Sequence, residues 1–262
     1  MASIPVWVIF LATNVIVFGM LEVGFRTGRA THRRSPREKE SPVGAFSAAM
    51  LGLLAFMLGF GFSLVSDRYQ VRRGKVREEV NAIQTAYLRA ELMPAPDRAE
   101  SRELLAGYVA EIVDEPLHEA TTRSVLPGAL ALENRWHRRL WAIAAANARE
   151  QPDSNGVQLY VESLNAMFAL RADRAMIESS KVRAPIWATL YGLMMLAVFG
   201  VGYQLGVAGS KRTKIGVALS FCFALVISLI ADLDRSNGYI EISEQPLADL
   251  RASITSATRA AR

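Results

Sequence analysis

Between Ala45 and Val65 the chain carries neither a charged side chain nor a proline, and the run passes without a helix breaker into a charged, amphipathic stretch that reaches Leu92. Lipid offers backbone groups no hydrogen-bond partners, so a segment of this kind must satisfy them within itself, as a helix does. About 20 apolar residues suffice to cross a ~30 Å hydrocarbon core. A helix from Ala45 to Leu92 would extend roughly 70 Å at ~1.5 Å per residue, so its second half is expected to project into water. On a helical projection Gly44, Ala48, Gly52, Ala55, Gly59 and Ser63 form a smooth stripe, with Phe46, Met50, Leu53, Met57, Phe60 and Leu64 roughly opposite. Small residues let helices approach closely in a bilayer, where apolar burial alone gives no net drive. The smooth stripe is therefore expected to pack against another helix, of this chain or of a neighbouring copy.

The chain's apolar content comes in blocks. Besides Ala45 to Val65, the stretches Ile4 to Val23, Ile186 to Val207 and Ile215 to Ala231 are each about long enough to span. The first block has no basic residue before it, is interrupted by Asn14 and Glu22, and is followed by no small-x-small site. It reads as a retained span and not as a cleaved leader. The formal charge of +5 is concentrated beside the spans, with Arg26, Arg29, Arg33, Arg34, Arg37 and Lys39 in the first connection, Arg68, Arg72, Arg73, Lys75 and Arg77 after the second span, and Lys211, Arg212 and Lys214 in the last turn. Contact with anionic headgroups accounts for this placement, and a nucleic-acid partner is not expected.

Between the two pairs of spans lies a segment of about four helices. Val76, Val80, Ile83 and Tyr87 share a face of the first, which ends at Pro94 and Pro96. Asp97 and Glu100 read as an N-cap and capping-box partner for a second helix with Leu104, Tyr108 and Ile112 inward, stopped at Pro116. A third runs from about Ala129 to Arg149 with Leu132, Trp136, Leu140 and Ile143 inward, and a fourth from about Val157 to Val182 with Val161, Leu164, Phe168 and Ile177. Trp136 and Trp141 read as core, Glu79, Asn81 and Gln84 as a solvated face, and Ser253 to Arg262 as a loose tail. The expected fold is all-α and integral to the membrane, with four transmembrane helices and a large helical insert between the second and third. The expected domains are a first span pair at 1–65, a helical bundle at 66–184, a second pair at 185–232 and a C-terminal tail at 233–262.

No nucleophile is placed beside a base, no glycine-rich phosphate loop is present, and His32, His118 and His137 have no metal-ligand spacing. Cys222 is the only cysteine, so no intrachain disulfide forms. Neither an enzyme, a cofactor nor a metal site is expected.

The segment Phe56-Met-Leu-Gly-Phe60, followed eight residues later by Arg68 and Tyr69, resembles the pore helix of the bestrophin ion channels, which have an F-x-L-G-F core followed at that distance by Arg and an aromatic. The exit from the fourth span, Asp234-Arg-Ser-Asn-Gly238 with Pro246-Leu247 after it, is similar to the bacterial members, and the order of spans and insert agrees. Glu79-Val-Asn-Ala-Ile83 and Leu233-Asp-Arg235 are closer still to bacterial bestrophin-like membrane proteins catalogued as a domain of unknown function. The resemblance implies five subunits around an axial pore that passes inorganic ions passively, with Gly52, Phe56 and Phe60 at the neck. The family usually has a bulky aliphatic residue where Gly52 stands. Asp67, Arg68, Asp232 and Asp234 would then lie in a vestibule or at subunit contacts. Animal members bind calcium through an acidic run after the fourth span, of which only Asp232 and Asp234 remain, and no calcium site is carried over. A rival reading is a membrane-anchored sensor whose insert binds a ligand or protein. Lys and Arg divide almost evenly between the two sides, so the positive-inside rule sets no orientation. The resemblance places the insert in the cytoplasm and the chain in a bacterial inner membrane.

Overall fold

The computed structural model describes residues 4–34, 40–114, 126–180, 182–209, 214–235, 239–240 and 242–260. All regular structure among them is helical. The helices are α1 (Val6–Arg34), α2 (Glu40–Arg89), α3 (Asp97–Asp114), α4 (Leu126–Glu150), α5 (Asn155–Ser179), α6 (Ala184–Val207), α7 (Lys214–Leu233) and α8 (Gln245–Ala260), and a 3-10 turn over Ala90–Leu92 ends α2. The chain forms two compact units, one of residues 1–68 and 181–239, the other of 69–180 and 240–262.

Among the described residues three helices are long and apolar enough to cross a membrane, Val6–Arg34, Gly44–Leu92 and Ala184–Val207, and all three contribute to the first unit. A shorter apolar helix covers Ala218–Leu233. Glycine sets the tightest packing. A Cβ on Gly24 would lie 2.3 Å from the Phe199 carbonyl oxygen, and one on Gly28 would lie 2.1 Å from that of Tyr203. The contact is reciprocal, because Gly202 faces the Leu21 carbonyl at 2.3 Å and Gly206 that of Phe25 at 2.3 Å. Two small-xxx-small pairs thus bring α1 and α6 into backbone contact. A polar pair adds to it, with Thr13 Oγ1 and Tyr191 Oη 3.0 Å apart, and Ser220 Oγ of α7 donates to Asn14 Oδ1 of α1 at 2.9 Å.

The second unit is a helical bundle around one apolar core. Its core joins Ile83, Tyr87, Leu105, Tyr108, Leu140, Tyr160, Leu164 and Met167, so the inward residues expected from periodicity at Val76, Ile83, Tyr87, Leu104, Tyr108, Ile112, Leu140 and Leu164 are buried. Val80, Trp136, Ile143, Val161 and Phe168 pack against it partly buried, and Ile177 is half-buried. Pro116 and the Leu132 side chain lie outside the described residues.

Four expectations are corrected here. Asp97 is not an N-cap: α3 starts on the Pro96 carbonyl, which accepts from Ala99 and Glu100 at 2.9 and 3.3 Å. The Asp97 and Glu100 carboxylates instead accept from α4, from Asn147 at 2.7 Å and from Arg139 at 3.2 Å. Pro127 and Gly128 do not break the chain before α4 but sit inside its first turn, where a missing N–H costs nothing. Trp141 is an exposed residue, while Trp136 donates its indole N–H to Glu111 at 2.7 Å. Nor is the C-terminal segment a loose tail. Leu247, Leu250 and Ile254 of α8 are buried in the core of the second unit, at about the helical repeat that puts them on one face.

Candidate pore face and a buried ion cluster

On α2 the residues buried in the first unit are Ser47, Leu54, Leu58, Gly61 and Val65. Ser47 lies against Gly200, and a Cβ on Gly61 would meet Leu190 and Ile230 side chains at 3.6 and 3.9 Å. Met50, Leu51, Met57 and Leu64 are half-buried, and much of the remaining surface is exposed. Phe56 is 69% exposed and Phe60 60%. Gly52 is exposed too, and a Cβ there would have open space around it. One open side therefore carries all three neck candidates, and the residues follow one another at one-turn intervals. Ala48, Ala55, Gly59 and Ser63 of the smooth stripe are also exposed, whereas Gly44 sits against the Gln204 side chain. Among the described residues the closest backbone approach is made by α1 and α6.

Asp67 is exposed and Arg68 half-buried near the end of the apolar run. Asp232 and Asp234, by contrast, are buried at the end of α7, and each has a definite job. Asp232 Oδ1 accepts from the Tyr239 backbone N–H at 2.8 Å, and Asp234 Oδ1 from that of Val182 at 2.9 Å. The second bond ties the exit of α7 to the entry of α6. Arg235 also donates to the Ile4 carbonyl, which fastens the start of the chain to the same turn. Among the described residues no cluster has the make-up of a metal site.

The feature that sequence reading missed is a buried charge cluster in the second unit. Glu79, expected on a solvated face, is fully buried, while Asn81 and Gln84 are exposed as expected. Its carboxylate takes Arg171 Nη1 at 3.1 Å on one oxygen and Arg174 Nη1 at 2.6 Å on the other. Arg174 reaches on to Glu244, just before α8. Arg72 and Glu178 are buried as well, and Arg72 Nη2 donates to the Ser180 carbonyl at 3.4 Å. Burial opposes the Arg174 charge, but Glu79 and Glu244 outweigh it and hold the guanidinium above its usual range. Buried charges are tolerated only when paired and hydrogen-bonded. Helical phase on α2 could have signalled Glu79, since it falls a turn from Val76 and Ile83 on the inward face. Its partners on α5 could not be read the same way, because Arg171 and Arg174 lie about 90 residues away in sequence.

Beside this cluster the His137 ring lies between Tyr108 and Phe168, with centroids 5.4 and 4.1 Å away. Burial, reinforced by Arg171 and only partly countered by Glu79, pushes its pKa down to about 4.

A family model described as the Bestrophin-like domain matches residues 11–247. No curated protein sequence matches the chain. Among solved structures, the chain is similar to a crystal structure described as a membrane protein, with 12% identity and a TM-score of 0.68 over 96% of this chain and 97% of that one. It is similar also to a bacterial bestrophin homologue from Klebsiella pneumoniae, with 14% identity and a TM-score of 0.67 over 95% and 96% of the two chains. A point variant of a Klebsiella pneumoniae homologue matches at 15% identity with a TM-score of 0.61 over 96% and 98%. At these identities the likeness is one of fold.

Proposed function

The chain belongs to the Bestrophin-like family of integral membrane proteins, and from that premise we propose that it is an oligomeric channel conducting small ions passively through an axial pore lined by α2. One observation carries the reading: Gly52, Phe56 and Phe60 lie on a side of α2 that its own chain leaves open. Closed cyclic symmetry brings the same face of each copy to a common axis. Stacked phenylalanine rings there would form hydrophobic constrictions, which gate by excluding water. Five copies are the number the family resemblance implies. In this arrangement α7 serves as a fourth, short span, the second unit lies in the cytoplasm, and the membrane is the bacterial inner one. The exposed stripe of Ala48, Ala55, Gly59 and Ser63 is then available to a neighbouring copy's helix, and Asp67 and Arg68 stand near the mouth.

The test is ion flux from liposomes holding the purified protein. Phe56→Ala and Phe60→Ala each widen and wet the constriction, so flux rises several-fold over wild type. A well-reconstituted oligomer that passes no ion, with or without these substitutions, sinks the channel and leaves a membrane-anchored sensor. Impermeant labelling of a cysteine placed at exposed Gln84, in a Cys222→Ser background, decides the side of the second unit.

A further inference from the structure

The last turns of α1 carry a row of arginines that conduction through α2 does not use. At ~100° per residue, Arg26, Arg29 and Arg33 fall within ~60° of one another and roughly opposite Gly24 and Gly28. All three are exposed. The opposite face is clamped, since Gly24 and Gly28 abut α6 carbonyls and a Cβ on Gly206 would lie 2.7 Å from the Arg29 backbone nitrogen. Arg26 and Arg29 therefore stand on a clamped stretch of helix, and Arg33 follows in its last turn.

Its depth follows from length. The helix has 29 residues, which at ~1.5 Å each is ~43 Å, against a ~30 Å hydrocarbon core and ~40–45 Å for the whole bilayer. If the apolar stretch up to Val23 fills the core, Arg26 and Arg29 stand in the headgroup layer and Arg33 at its outer edge. Within α1 the only acid is Glu22, held by Arg26 Nε at 2.6 Å. Arg34 follows, and α6 ends at this same end of the unit. Guanidinium groups bind phosphate oxygens in a bidentate, charge-assisted way.

We propose that the Arg26–Arg29–Arg33 face of α1 is a binding surface for an acidic glycerophospholipid, whose phosphate sits on the arginines and whose chains run along the exposed apolar side of α1. Trp7, Leu11, Val15, Phe18 and Val23 supply that side. The surface belongs to the membrane helix itself, so it holds whether or not α2 lines a pore.

The full-length protein in phosphatidylcholine vesicles, with a trace of spin-labelled phosphatidylglycerol or spin-labelled phosphatidylcholine, reads this directly as the fraction of motionally restricted lipid. The acidic probe is expected to associate more strongly than the zwitterionic one at low salt. The preference should fall by about fivefold for each arginine removed, the size of one basic contact at an anionic surface. The Arg29→Gln/Arg33→Gln pair is compared with Arg139→Gln/Arg149→Gln on α4, which should keep the preference. Equal association of the two probes with wild type overturns the proposal. So does a preference unchanged by the α1 pair, or one abolished equally by the α4 pair. If the α1 pair fails to fold, the salt series on wild type decides: the preference must collapse by about 1 M salt, where screening reaches ~3 Å, and a preference that survives overturns the assignment.

Discussion

Glu79 shows how much a single buried charge commits a fold to. Both its oxygens are taken by guanidinium groups, and removing the negative charge would take a buried counter-charge from both Arg171 and Arg174. Glu79→Gln is therefore expected to destabilise the second unit by ~3–5 kcal/mol, the cost of breaking a buried ion pair by removing one partner; unfolding of the purified protein in detergent measures it. His137 predicts a pH dependence of definite sign. Its pKa is 6.5 ordinarily and about 4 in the folded bundle. The unfolded chain thus binds the proton more readily. Stability from the neutral ring is fully present above about pH 6.5 and is lost as pH falls towards 4. His137→Gln should flatten the fall in apparent melting temperature across that window, and an unchanged slope would show that other groups set the acid limit. The phase of α2 makes Glu79 suspicious on inspection, but nothing local identifies its arginine partners, which chain folding alone brings to it.

At the scale of helices, α1 and α6 are joined by glycine. The Cβ of Gly28→Ala would sit 2.1 Å from the Tyr203 carbonyl oxygen, which rigid backbone cannot yield cheaply. The two helices must separate, and a loss of ~1–3 kcal/mol is expected. Gly19 is the matched control, because a Cβ there meets nothing within 4 Å. Gly19→Ala should be neutral or stabilising by up to ~1 kcal/mol through helix propensity. Apparent melting temperatures of the two variants, compared in one detergent, test the pair. Glycines in α6 are visible in sequence as a means of close packing. Which partner they serve is not, since Gly200 faces Ser47 of α2 while Gly202 and Gly206 face α1. Neighbouring positions on one helix point to different neighbours, and only the crossing of the helices assigns them.

Across the whole molecule, the C-terminal segment completes a unit whose other residues are 69–180. Leu247, Leu250 and Ile254 each bury a side chain worth ~1.5–3 kcal/mol, and Glu244 supplies a partner for Arg174. Truncation before Ile240 should therefore raise hydrogen exchange throughout α3, which α8 packs against, beyond the missing residues themselves. Protection in α3 equal to that of the full chain would refute this. By itself the sequence determined that the chain is helical and embedded in a membrane, because uncharged runs of bilayer length admit little else, and it marked the apolar stripe of each bundle helix, because helical periodicity is a local property. The tertiary structure alone decided which side of α2 stays open, where Glu79 finds its counter-charges, and that the last helix belongs to the core. Those outcomes depend on contacts between residues far apart in the chain, and no local pattern encodes which distant surface will arrive to cover a given face.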